Sequence, residues 1–186
     1  MRFPHSDQLA FPCVFERLVP GQLHADGRRY LPLIVLRPTG VPGPAGLPNI
    51  AGLGVVDRHH RVDLALAGRV GVAQLVFLLS QVRLQASPPR LGLQAEEALA
   101  VGRVSTMPAA FGRVLAVYAW EAEREHLPYE ALYTELLLDI GIGTIGVRTS
   151  VTAASLAESL GKPQIEPGDW IEVRRSRIDI LGLAPA

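Results

Sequence analysis

Cysteine is almost missing from this sequence. Cys13 stands alone among 186 residues, so no disulfide can close within the chain, and a reducing compartment suits it. Lysine is equally scarce, with Lys162 the single lysine among 18 basic residues. No apolar run reaches the roughly 18 residues that span a bilayer. The start, MRFPHSDQLAFP, lacks the basic segment and uninterrupted apolar stretch of a secretory signal. A soluble, cytoplasmic protein with no membrane partner is the expectation. Net charge is absent too, with 18 basic and 18 acidic residues, which excludes holding nucleic acid by bulk electrostatics alone.

What is present is a folding chain. Hydrophobic residues make up 48% and charged residues 19%, spread along a length that suits one fold unit rather than disorder. The charge is unevenly placed. Residues 1–110 hold 11 Lys/Arg against 7 Asp/Glu, and residues 111–186 hold 7 against 11, so an anionic partner should prefer the first part. Arginine suits planar contact with phosphate or carboxylate, although GC-rich codon usage explains its excess over lysine more simply.

The first 108 residues read as β. FPCVFERLV and RRYLPLIVL flank Asp26-Gly27, a hairpin turn signal, with Pro32 marking an edge or bulge. Residues 38–48, PTGVPGPAGLP, form a loop. Strands follow around Val55, from Arg61 to Ala67, from Val72 to Gln85 and over 98–105, the set resembling a barrel or sandwich. After Met107-Pro108 the pattern turns helical. Val114, Val117, Tyr118 and Ala122 form one stripe over 111–126. Leu132, Tyr133, Leu136, Leu137 and Ile140 repeat at i, i+3, i+4 behind Pro128. A third helix is expected from Thr152 to Leu160, with Gly161 and Pro163 as its stop, and a C-terminal hairpin from Trp170–Val173 and Arg177–Leu181. The expected class is α+β: an N-terminal antiparallel β-barrel or sandwich (1–108), then two or three helices and a C-terminal β-hairpin (109–186), packed as one unit.

Leu136 to Gly146, LLLDIGIGTIG, contains a formal G-x-G-x-x-G at Gly141, Gly143 and Gly146, and LLLDIGIG resembles the glycine-rich first motif of methyltransferases that bind S-adenosylmethionine. That chemistry requires the glycines to follow a strand and open a helix, so that amides face the phosphate or ribose. Here the preceding residues carry a helical stripe and too little chain follows for further β-α units. The glycines are expected to end a helix, with no cofactor bound. Similarly, SVTAASLAESLG is similar to the first helix of helix-turn-helix domains, but KPQIEPGDW follows where the recognition helix belongs.

Asp57, His59 and His60 form the densest acid-base or metal group; along a strand Asp57 and His59 share a face while His60 points away, and no further spacing completes a shell, so a solvated turn is expected. Cys13 with His24 or His126 lacks a local activator and reads as a buried thiol. Tyr118, Trp120, Tyr129 and Tyr133 read as core or interface. Two tips remain: Arg174, Arg175 and Arg177 around one turn, and Arg58 with Arg61 around another. Clustered arginines grip phosphate or an acidic partner. The leading expectation is a non-enzymatic binding module that contacts single-stranded nucleic acid or an acidic protein surface through these loops. A homo-oligomeric assembly protein, or a small enzyme using the glycine loop or the Asp57/His59 tip, are the alternatives.

Overall fold

The computed structural model describes residues 5–23, 25–27, 29–78, 80–96, 104–121 and 132–186. Alternation in Phe11–Val19 builds β1, in which Phe11, Cys13 and Phe15 are wholly buried between half-buried neighbours. The chain turns at Asp26-Gly27, where Gly27 has φ 77°, through a small ribbon of β2 (Gln22–Leu23) and β3 (Arg29–Tyr30). It returns as β4 (Leu33–Pro38), antiparallel to β1, so the expected hairpin forms. The Pro/Gly-rich stretch after it is pinned: Leu47 N donates to the Leu91 carbonyl, Leu91 N donates to the Ala45 carbonyl, and Asn49 Nδ2 donates to the Gly40 carbonyl.

β5 (Gly52–Val56) pairs with β4 and is buried along its length. The expected strand over 61–67 is absent: Asp57 accepts from Arg61 N and Val62 N, and Asp63 caps a 3-10 turn at Leu64–Leu66. These side-chain acceptors offer the backbone an alternative to a sheet ladder. The expected long strand divides into β6 (Val70–Leu78) and β7 (Gln81–Leu84). β8 (Gly92–Gln94) follows, then β9 (Val104–Ser105), the described part of the strand expected over 98–105.

The α+β expectation is overturned. Among the described residues, half of the structure is strand and 8% helical, with a closed five-strand barrel, seven further strands hydrogen-bonded to it, the separate β2-β3 ribbon and one α-helix. The two segments read as helices are β10 (Ala109–Glu121) and β11 (Leu132–Asp139), paired antiparallel; residues 122–131 between them, Tyr129 included, lie outside the described residues. β12 (Thr144–Arg148) follows, then α1 (Ala153–Ser159), the expected third helix. Thr152 caps it by accepting from Ser155 N, and Gly161, at φ 66°, ends it. The chain finishes with β13 (Trp170–Arg174) and β14 (Arg177–Pro185).

β14 inserts between β5 and β6, and β6 also pairs with β1, which closes the ring β1-β4-β5-β14-β6. β12 joins β6 in parallel and leads a second sheet, β12-β11-β10-β13-β7, with β8 beside β10. One core fills both: Phe11, Phe15, Leu53 and Phe77 of the barrel share a cluster with Leu136, Val147, Ile171 and Val173. Burying each such side chain contributes about 1.5–3 kcal/mol. A smaller cluster, Leu9, Val76, Leu78, Leu137 and Leu181, lies on the opposite face of the same strands.

The C-terminal pair is not a hairpin. β13 pairs with β10 and β7, whereas β14 pairs with β5 and β6. The two-residue link at Arg175-Ser176 carries the chain from one sheet to the other, and β6 to β7 makes the same crossing in reverse. Leu78 faces Arg177 in register, and Gln81 faces Arg174. The Ser80 and Ser176 hydroxyls, 2.7 Å apart, join the two crossings side by side.

Candidate partner-binding surface

These crossings set the positions of the arginines. The parallel pairing of Asp179 with Val56 lays the loop after β5 against the start of β14. Asp57, 3% exposed, shapes that loop through the two backbone N–H groups it accepts, at 2.9 and 3.0 Å. His60 takes a left-handed φ of 51° beside it. Arg61 Nη1 reaches the Leu181 carbonyl at 3.4 Å. Arg177 grips Asp179 with a fork, Nε at 2.8 Å and Nη2 at 3.3 Å, and Arg58 Nε lies 4.0 Å from the same carboxylate.

The two arginine tips therefore meet around one carboxylate. Asp179 is 3% exposed while the Arg58 and Arg177 side chains are 45% and 34% exposed. The acid is inside and the cations look outward. Three arginines stand against Asp57 and Asp179, a local balance of +1. Arg175 raises it to +2; it sits exposed at the crossing with φ 54°, a conformation rare outside glycine.

Arg174 does not join them. It belongs to β13 in the other sheet and is held by Glu172 and Glu96. The three arginines of the last turn thus point to two places, because the turn is a crossing and not a hairpin tip. Asp57 spends both oxygens on the backbone, and among the described residues no group of three potential metal ligands assembles around it or His59.

The glycine run also takes a form other than a helix end. β11 ends at Asp139, as a nucleotide site would require, but β12 follows and not a helix. Asp139 Oδ1 accepts from Gly141 N at 2.8 Å and Ile140 N donates to Gly143 O at 3.0 Å, a tight turn with Gly141 at φ 77° and Gly143 at φ 158°. Gly146 lies within β12, facing Leu137 and Val76. No helix N-terminus follows the glycines. Cys13 is wholly buried, and desolvation pushes its thiol up to about 11 despite a backbone hydrogen bond from Ala73 that opposes it; His24 and His126 lie outside the described residues.

Two features escape a helical reading of 111–140. Glu135 and Arg148 face each other across β11 and β12 on the outer side of the sheet. They are 0% and 5% exposed, with Arg148 Nε 2.6 Å from Glu135 Oε1. Glu135 Oε2 has no hydrogen-bond partner among the described residues. Burial raises the Glu135 carboxyl above its ordinary range, and Arg148 and then His5 oppose the shift. His5 stacks on Tyr118, ring centres 3.5 Å apart, and Tyr118 donates to Gln8. The second feature is the outer face of β13 and its neighbours, where Trp170 and Arg113 are direct cross-strand partners. A period of two over Glu135, Leu137 and Asp139 is the signal that finds the first; the second needs the strand order.

No helix among the described residues is long and apolar enough to cross a membrane. No protein-family model, curated protein or solved structure matches the chain.

Proposed function

We propose that this chain is a non-enzymatic binding module that holds single-stranded nucleic acid through its Arg-tipped loops, with Arg58, Arg61, Arg175 and Arg177 as contacts. The observation that supports it is the convergence of two sequence-distant arginine tips on the buried carboxylate of Asp179. A guanidinium carries five donors in a rigid fork. Arg177 spends Nε and Nη2 on Asp179, so its other donors remain for phosphate oxygens. Arginines held in place before binding lose less conformational freedom on contact. An acidic protein surface would meet the same donors. Nucleic acid is favoured because β13, which leads into Arg175, carries the half-buried Trp170 on its outer face.

Fluorescence anisotropy with a labelled oligothymidylate at 50 and 200 mM salt tests this. Binding should weaken steeply with salt, and each of Arg58→Ala, Arg61→Ala, Arg175→Ala and Arg177→Ala should reduce the log–log salt slope by about 0.7. Arg37→Ala, which removes a β4 arginine paired with Glu16 of β1, should leave it unchanged. No binding at 50 mM salt ends the nucleic-acid reading, and binding of polyglutamate in its place moves the function to an acidic protein.

A second reading rests on β7. It ends the sheet order, pairs only with β13 among the described strands, and exposes Leu84 to 42%. An open edge is a template for a second strand, so self-association would run through it. Light scattering tests this: a dimer that Leu84→Lys or Val82→Pro returns to monomer supports it, and a monomer at high concentration refutes it.

A further inference from the structure

The outer face of β7, β13 and β10 brings together residues that the arginine tips do not use. Directly opposed residues of antiparallel strands share a face. Arg113 stands opposite Trp170, and Arg83 and Phe111 stand on either side of Glu172. Their neighbours along each strand, Ile171, Val173 and Ala110, point into the core. Trp170 is half-buried; Arg83, Arg90 and Arg113 are exposed. The Arg90 guanidinium carbon sits over the Phe111 ring, 4.1 Å from its centre.

Charge on this face is unbalanced in a specific way. Glu172 and Glu96 both engage Arg174, and Asp139, opposite Arg113, turns Oδ1 to Gly141 N. Arg83 and Arg113 have no ion pair or hydrogen bond among the described residues. They stand on either side of the tryptophan, two strands and two residues apart, roughly 12 Å. From Trp170, β13 runs about 13 Å to Arg174, and the next residue is Arg175 of the tip.

We propose that Trp170 is a base-stacking platform, flanked by Arg113 and Arg83 as phosphate contacts, on a path for single-stranded nucleic acid that continues over β13 to the Arg175 tip. The inference rests on the binding reading above and assigns its base-contacting position. The open part of a half-buried indole accepts any base face, and cations to either side follow the backbone; together these form the sequence-tolerant way of holding a single strand. A duplex keeps its bases stacked on each other and fits such a platform poorly.

The chain has two tryptophans, so Trp120→Phe leaves Trp170 as the sole indole. Full-length Trp120→Phe titrated with a labelled 20-residue oligothymidylate should show binding by anisotropy and a matching quench of tryptophan emission. Trp170→Ala should weaken binding on the order of 5- to 150-fold, while Trp170→Phe retains most of the affinity, which loss of packing alone would not produce. Arg113→Ala and Arg83→Ala should each lower the salt slope by about 0.7. If Trp120→Phe fails to fold, the quench in the wild type that Trp170→Phe abolishes serves the same purpose. Binding that leaves Trp170 emission unchanged and survives Trp170→Ala overturns the platform while the tip reading stands. No oligonucleotide binding at 50 mM salt overturns both, as does binding of polyglutamate alone.

Discussion

Arg148→Met removes the cation of the buried pair on β11 and β12 while keeping an unbranched apolar stem. Glu135, 0% exposed, would then lose Arg148, whose Nε donates to its Oε1 at 2.6 Å, and its Oε2 already has no hydrogen-bond partner among the described residues. Breaking a buried ion pair from one side costs about 3–5 kcal/mol, because the remaining charge stays out of water. Total stability of a domain is about 5–15 kcal/mol. With a urea m value near 2 kcal/mol/M, the midpoint should fall by roughly 1.5–2.5 M.

The pH dependence sharpens the test. Burial raises Glu135 above its ordinary value of 4.5, so just above that pH the native chain holds a proton that the unfolded chain has released. The stability this lends is full below 4.5 and is lost as pH rises through the folded value. Arg148 opposes the rise, so its removal moves the folded value higher and extends the loss toward neutral pH. Urea melts from pH 4.5 to 7.5 should show the gap between wild type and Arg148→Met widening with pH. Adding Glu135→Leu should close most of it, since an apolar pair of similar volume tolerates this site. A loss below about 1 kcal/mol at pH 7, unchanged across the range, would refute the claim that Glu135 is a buried charge held by Arg148.

Two further outcomes follow from the fold. Ser176→Ala should cost about 1–3 kcal/mol in chemical denaturation, because Ser176 is fully buried against Ser80 where both crossings pass; Ser80→Ala in the same background should add little, and full additivity would show that the hydroxyls act independently. Cys13, with its thiol raised to about 11, should resist Ellman's reagent at pH 8 in the native state and react fully in 6 M guanidinium, and fast native labelling would contradict its burial.

Where the sequence pattern led to helices, the physical reasons lie in particular residues. In β11, Leu136 and Leu138 face the main core and Leu137 faces the smaller outer cluster. With both faces covered, the alternation that marks a strand disappears, and the leucines satisfy helical spacing by default. In β10 the register slips between Val114 and Ala116, leaving Leu115 38% exposed. That bulge puts Val114 and Val117, three residues apart, on the same inner side, an interval that belongs to a helix in an unbroken chain. The first hairpin and α1 were legible because local chemistry specifies them: Asp26-Gly27 for the turn, Thr152 and Gly161 for the helix ends.

The arginine surface was half legible for the same kind of reason. Each tip shows in the sequence as a charged turn, but their meeting depends on a parallel contact between Val56 and Asp179, which no local pattern announces. LLLDIGIGTIG marks the limit from the other side. Its glycines do mark a turn, and the strand before them does end at Asp139. Which element follows decides their role, and Thr144–Arg148 continues as a strand because Ile145 and Val147 fill the core, with Gly146 paired between Leu137 and Val76. The glycine amide that a phosphate would need at Gly141 is already engaged by Asp139. The same aspartate is thereby turned toward the glycine turn, which leaves Arg113 opposite it with its charge unanswered and facing Trp170. The glycine turn thus helps to set the cation beside Trp170 on which the proposed stacking surface depends.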